Sequence, residues 1–203
     1  MKETKQKILE TALDLFSRYG FSAVSIRDIC KVVDIKESSV YYHFKNKQAI
    51  LEELLQQFES IANDLMSQLE QALKATQNDV EGNIFEKTCD CFFEQYLMDE
   101  YCNKIMRLLS IEHFSNDEIR KIYDDWLIDK PLQFQAKVFS LLISAGMIKE
   151  ADSSYLAVKF YAPIFLFMQR WLFYGTLTEE QKQLFRENAY AHINHFFREM
   201  EGN

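Results

Sequence analysis

Between residues 50 and 73 the chain places apolar side chains at 50, 51, 54, 55, 58, 61, 62, 65, 66, 69, 72 and 73. Steps of three and four align on one face only in an α-helix, which repeats every ~3.6 residues. With Asn46 as its cap, the segment reads as a helix of roughly seven turns to Ala75, around which any fold must be arranged. Shorter stretches repeat the pattern elsewhere. Period-two alternation is hard to find, and the breakers Gly (5) and Pro (2) are scarce in 203 residues. The expected fold class is therefore all-α, with about nine helices.

Capping signals divide the rest of the chain. A first helix is expected over about Lys2 to Tyr19, with Ile8, Leu9, Ala12, Leu13, Leu15 and Phe16 as its apolar stripe. It stops at Gly20, where Phe21 packs back. Ser25 caps a second helix with Asp28 completing a capping box, and Ile26, Ile29, Cys30 and Val33 follow on one face. Asp34 takes the turn before a third helix, about Glu37 to Phe44. At about 100° per residue Val40 and Phe44 face the core, Ser38, Ser39 and Tyr42 face away from it, and Tyr41 and His43 flank that outer face.

After the long fourth helix, residues 76 to 83 read as a loop, followed by a fifth helix carrying Phe85, Cys89, Phe92, Phe93 and Tyr96 and a sixth over about Tyr101 to His113. Ser115 and Glu118 form a capping signal for a seventh, about Asn116 to Ile128. Pro131 is expected to break or kink the chain, and the segment from there to about Ala145 stops at Gly146. Residues 153 to 175 are apolar nearly all round and need cover on every side. Thr178 and Gln181 open a final helix to about Met200. One subunit does not cover the last two helices, so a homodimer through them is expected.

Composition excludes several classes. The opening MKETKQKILE is too charged for a secretory signal, and the longest apolar run, Phe160 to Met168, is far short of the ~20 residues that span a bilayer. A cytoplasmic protein with no membrane partner is expected. Cys30, Cys89, Cys91 and Cys102 form no disulfide framework, and Cys89 and Cys91 diverge by about 200° on a helix, so they read as packing thiols. His192 and His195 lie three apart without an obvious third ligand and read as an interface pair, so no metal and no cofactor is expected. No catalytic motif is present, which argues against an enzyme.

Charge is uneven. Residues 1 to 50 hold nine Lys/Arg against six Asp/Glu, whereas the remainder holds 14 against 25. One mildly basic end on an acidic body suits contact with phosphate through that end alone. In this stretch Gly20-Phe21, Ser25-Ile26, Tyr41-Tyr42-His43-Phe44 and Lys47 together resemble the DNA-binding domain of the TetR (tetracycline repressor) family over residues 5 to 55. The resemblance implies a helix-turn-helix DNA-binding domain over 1 to 47 and a ligand-binding and dimerisation domain over 48 to 203.

It further implies that Ser38, Ser39 and Tyr42 face the major groove of double-stranded DNA while Ser25, Tyr41, His43 and Lys47 hold phosphates, with Arg27 also among the DNA-binding residues. The third-helix geometry agrees, since hydroxyls opposite the core reach base edges and flanking groups reach the backbone. Two positions depart from the family pattern: Asp34 replaces a turn glycine, and Lys36 replaces a small cap and adds a phosphate contact. Glu37 is unfavourable beside phosphate but suited to accept from a cytosine amine.

The family's use of helices four to eight to wrap a small-molecule effector marks Phe92, Phe93, Tyr96, Tyr101, Met106, Trp126, Tyr161, Phe165 and Met168 as candidate pocket lining, with His113 as a polar anchor or a helix-end histidine. The implied function is a dimeric repressor on a pseudo-palindromic operator, released when the effector tilts the long fourth helix. The alternative is a helical protein adaptor whose head no longer binds DNA. A DNA shift assay with equilibrium sedimentation separates the two.

Overall fold

Helix ends in this chain are set by side chains and left-handed residues in reach of the local backbone. The computed structural model describes residues 2–75 and 84–201, which contain ten α-helices and no strand. The expected loop at 76 to 83 lies outside the described residues. The helices are α1 (Lys2–Tyr19), α2 (Ile26–Val33), α3 (Glu37–His43), α4 (Lys47–Ala75), α5 (Ile84–Phe92), α6 (Glu100–Glu112), α7 (Asp117–Tyr123), α8 (Lys130–Ser144), α9 (Ser153–Phe167) and α10 (Glu179–Glu201). Three π-helical stretches, Phe93–Leu97, Asp124–Asp129 and Met168–Leu172, extend α5, join α7 to α8 and extend α9. The ten helices thus form nine continuous helical runs among the described residues. No helix there is long and apolar enough to cross a membrane.

The chain divides into two compact units, residues 1–64 with 100–123 and residues 65–99 with 124–203. In the first, α1 packs against α6, α2 and α3. Its interior holds Ile8, Phe16, Ile29, Val40, Phe44, Leu51, Phe58, Ile105 and Met106. The ends of α1 and α2 follow the sequence closely. Gly20 has φ 84° and Phe16 and Phe21 meet edge to face at 5.3 Å. Ser25 and Asp28 form the capping box, and Asp34 is left-handed at φ 60° with its N–H donating to the Cys30 carbonyl. Asn46 Oδ1 accepts from Ala49 N at 2.9 Å and starts α4.

In the second unit α9 packs against α8 and α10. Phe139, Phe160 and Phe196 meet ring to ring at 5.3 to 5.7 Å. Thr178 and Gln181 cap α10 reciprocally.

Two expectations are corrected. The cap of α7 is Asn116, whose Oδ1 accepts from Glu118 N at 3.0 Å and Ile119 N at 3.2 Å, while Ser115 Oγ turns back to the Glu112 carbonyl. Asparagine competes well for such a site because its carbonyl reaches two successive N–H groups. Pro131 does not break the chain: it lies in the first turn of α8, directly after the π-helical stretch. A proline leaves nearby carbonyls without a helical donor. Here buried tyrosines supply one. Tyr161 Oη donates to the Leu127 carbonyl at 2.8 Å and Tyr96 Oη to the Trp126 carbonyl at 3.3 Å. Pro163 is carried inside α9, and three residues before it the Phe160 carbonyl pairs with His192 Nε2 at 2.9 Å.

Candidate nucleic-acid interface and ligand cavity

Helix α3 has one buried residue, Val40, and Phe44 follows it into the core. That anchoring turns the opposite side outward. Tyr42 is 69% exposed, Tyr41 53%, and Ser38 and Lys36 are exposed, with Ser39 and His43 partly so. Tyr42 and His43 meet edge to face at 5.0 Å. Lys36 occupies the cap position of α3 without a side-chain cap bond. Arg27 Nε donates to Glu37 Oε1 at 3.0 Å, so part of the Arg27 charge is met by the carboxylate in the first turn of the reading helix. Ser25 is engaged with Asp28, its N–H donating at 2.8 Å and its hydroxyl at 2.6 Å. These two hydrogen bonds hold the Asp28 carboxyl below the usual carboxylate range.

Lys47 is held more firmly than any other basic candidate. Its Nζ donates to the carbonyls of Phe21 at 2.7 Å and Val24 at 2.6 Å and lies 4.2 Å from the centre of the Phe21 ring. Partial burial pulls its pKa down, and the nearby Glu112 and Asp28 charges oppose that. The same loop is gripped from α6. Glu112, only 4% exposed, accepts from Ser22 N through Oε1 and from Ser22 Oγ through Oε2, both at 2.9 Å. A Cβ on Gly20 would fall 2.5 Å from Glu112 Oε1. Residues 20 to 24 therefore sit in a clasp of one cation and one anion, which fixes where α2 begins. Glu112 is a residue that sequence reading passed over. Its one signal was a carboxylate at the last position of α6, against the helix dipole.

A cavity lies within the second unit, lined by Met66, Thr88, Cys89, Phe92, Phe93, Pro131, Phe134, Gln135, Phe160, Tyr161 and Ile164. Of the candidate pocket residues it brings together Phe92, Phe93 and Tyr161. Tyr96 and Trp126 are buried beside it in the hydrogen bond around Pro131, and Met168 is buried with its sulfur 3.9 Å from Tyr161 Oη. Phe165 is half-buried, 6.2 Å from the Tyr161 ring. Tyr101 and Met106 belong to the first unit, where Tyr101 Oη donates to the Leu54 carbonyl at 2.7 Å and Met106 is fully buried. His113 is also there, stacked 4.1 Å from the Tyr123 ring with Nδ1 against the Ser110 carbonyl. His192 and His195 take different partners, the Phe160 carbonyl and Glu199. Cys89 is buried and Cys91 half-buried, both as free thiols, and burial raises the Cys91 pKa.

A capped helix, a left-handed turn and a second helix with a polar outer face define a helix-turn-helix DNA-binding regulator. Residues 8–54 match the family of bacterial regulatory proteins of the tetR type. Over 201 residues the chain is 25% identical to IcaR of Staphylococcus aureus (strain Newman), the negative transcriptional regulator of the biofilm operon icaADBC, covering 96% of this chain and 99% of that one. IcaR of Staphylococcus epidermidis is 23% identical over 205 residues, with the same coverage. Among solved structures, a TetR-family regulator from Mesorhizobium loti superposes with a TM-score of 0.64 at 18% identity, covering 97% of this chain and 96% of that one. This chain is a transcriptional regulator with a DNA-binding domain of the TetR type.

Proposed function

We propose that the chain is a homodimeric repressor that binds a pseudo-palindromic operator and is released from it by a small-molecule effector. The observation that carries the DNA reading is the exposed face of α3, with Ser38 and Tyr42 opposite buried Val40. In this reading Ser38, Ser39 and Tyr42 read base edges. Ser25, Arg27, Lys36, Tyr41 and His43 hold phosphates, and Lys47 supports them by fixing the loop ahead of α2. Residues 1 to 47 contact DNA and 48 to 203 supply ligand binding and pairing. Repression is favoured by the likeness to the negative regulator IcaR along nearly the whole chain.

Dimerisation is supported by α9, where Tyr155, Val158, Ala162 and Leu166 are exposed on one stripe. An apolar stripe on the last helices of a soluble chain is covered by a two-fold copy. The cavity supports effector binding, and its occupant shifts operator affinity by the difference in its affinity for the two states. The chain works in the cytoplasm, where its DNA is.

Selection of bound duplexes from a random pool, followed by footprinting, tests the reading. An inverted repeat is expected, bound by a sedimenting dimer. Tyr42→Ala is expected to relax its sequence preference. Selection of no duplex, or binding unchanged by that substitution, overturns it.

A further inference from the structure

The cavity wall is apolar except at a few points, and most of those are already engaged. Tyr161 directs its hydroxyl to the Leu127 carbonyl. Gln135 is different. It is 9% exposed, it lines the cavity one turn after Pro131, and its Oε1 is buried with no hydrogen-bond partner among the described residues. A buried carbonyl without a donor costs free energy that a bound donor recovers. The described lining residues include no charged group, so an ion entering here would be desolvated without a counter-charge.

We infer that the cavity takes a neutral aromatic compound bearing one hydrogen-bond donor, of the phenol type, with the donor on Gln135 Oε1 and the ring among Phe92, Phe93, Phe134 and Phe160. This inference rests on the effector reading above and specifies its ligand class. The cavity is open to a water-sized sphere over only about 20 Å³, room for roughly one water. A ring therefore enters by displacing a wall. Phe92 is the half-buried aromatic of the lining on α5, tilted against Tyr96 at 5.3 Å, and is the side chain that gives way.

The experiment is calorimetric titration of the full chain with phenol, anisole, toluene and phenyltrimethylammonium, on the native protein and on Gln135→Leu. Phenol is expected to bind the native protein about tenfold more tightly than anisole or toluene. In Gln135→Leu the three neutral compounds should bind alike, and the cation should bind neither protein. Gln135→Leu without ligand should also melt no lower than the native protein, since an unpaired buried carbonyl is replaced by hydrocarbon.

Equal binding of phenol and toluene to the native protein overturns the donor assignment and leaves the cavity as a binding site. Tightest binding by the cation overturns the neutral class in favour of an aromatic cage. A lower melting temperature for Gln135→Leu shows that the amide already has a partner and overturns the inference. Binding by none of the four overturns the inference together with the cavity reading, whereas duplex selection reports on the DNA reading separately.

Discussion

The two compact units hold their working parts by opposite means. In the first, the loop ahead of α2 is fixed by directional bonds from two charged residues, Lys47 and Glu112. In the second, the cavity is walled mostly by aromatic and aliphatic side chains. Hydrogen bonds lose their strength within a fraction of an ångström or a modest tilt, whereas dispersion contacts can be exchanged for others as rings move. A reading head needs one geometry. A cavity that is to take the proposed effector, larger than its resting volume, needs walls that can shift.

The largest effect should come from the packing side. Phe160 is 2% exposed and touches Phe139 and Phe196, so Phe160→Ala is expected to cost about 3–5 kcal/mol in denaturant unfolding. A loss under about 1 kcal/mol would mean that the second unit already packs loosely. Next comes the clasp: Glu112→Leu leaves the Ser22 N–H without its acceptor and should cost about 1–3 kcal/mol. Operator affinity should fall with it, by a similar factor for good and poor sites. Unchanged affinity would separate the clasp from DNA reading.

Smaller effects test where charge matters in the second unit. Arg186 grips Glu94 with two bonds of 2.7 and 2.9 Å, but both side chains are partly solvated, so Arg186→Met should cost only about 0.5 kcal/mol. The pair holds the Glu94 carboxyl below the usual carboxylate range. Its contribution is present above the unfolded value near ~4.3 and is lost as pH falls through the folded value. A melting series from pH 7 to 3 should show the native and variant curves converging at the acid end.

Burial depresses the His192 pKa, with nearby His195 and Lys159 adding to that, while the Phe160 carbonyl and Glu199 pull it upward. The unfolded chain therefore takes up the proton first as pH falls below ~6.5, and stability drops until the folded value is passed. His192→Gln should flatten the melting profile in that window, and a profile of unchanged slope would place the acid sensitivity elsewhere. Smallest of all, Tyr42→Ala should leave unfolding within about 0.5 kcal/mol of native, because its ring is exposed. A larger loss would make that ring part of the packing of the head.

Local signals carried far in this chain. The capping boxes at Ser25 and Thr178, the left-handed Asp34 and the outward face of α3 are all set by residues a few positions apart. Such signals fail where two compete at short range, as when Asn116 rather than Ser115 caps α7. They also fail where a partner comes from far away. Pro131 reads as a break until Tyr161, 34 residues from Leu127, supplies the donor that the helix lacks. Of the cavity lining, Phe92, Phe93 and Tyr161 stood out by aromatic type. Gln135 did not, because a lone glutamine on a helix is ordinarily a solvated one.

The amino-acid sequence alone determined that the chain is helical, where most helices start and stop, and which face of α3 meets solvent, because spacing and capping act within a turn or two of backbone. Tertiary structure decided what holds the head in register and what the body can accommodate. Glu112 meets Ser22 across 90 residues, and Gln135 Oε1 finds no partner among its described neighbours on α4, α5 and α9. Both outcomes depend on desolvation, and desolvation is a property of the packed interior that no local stretch of sequence possesses.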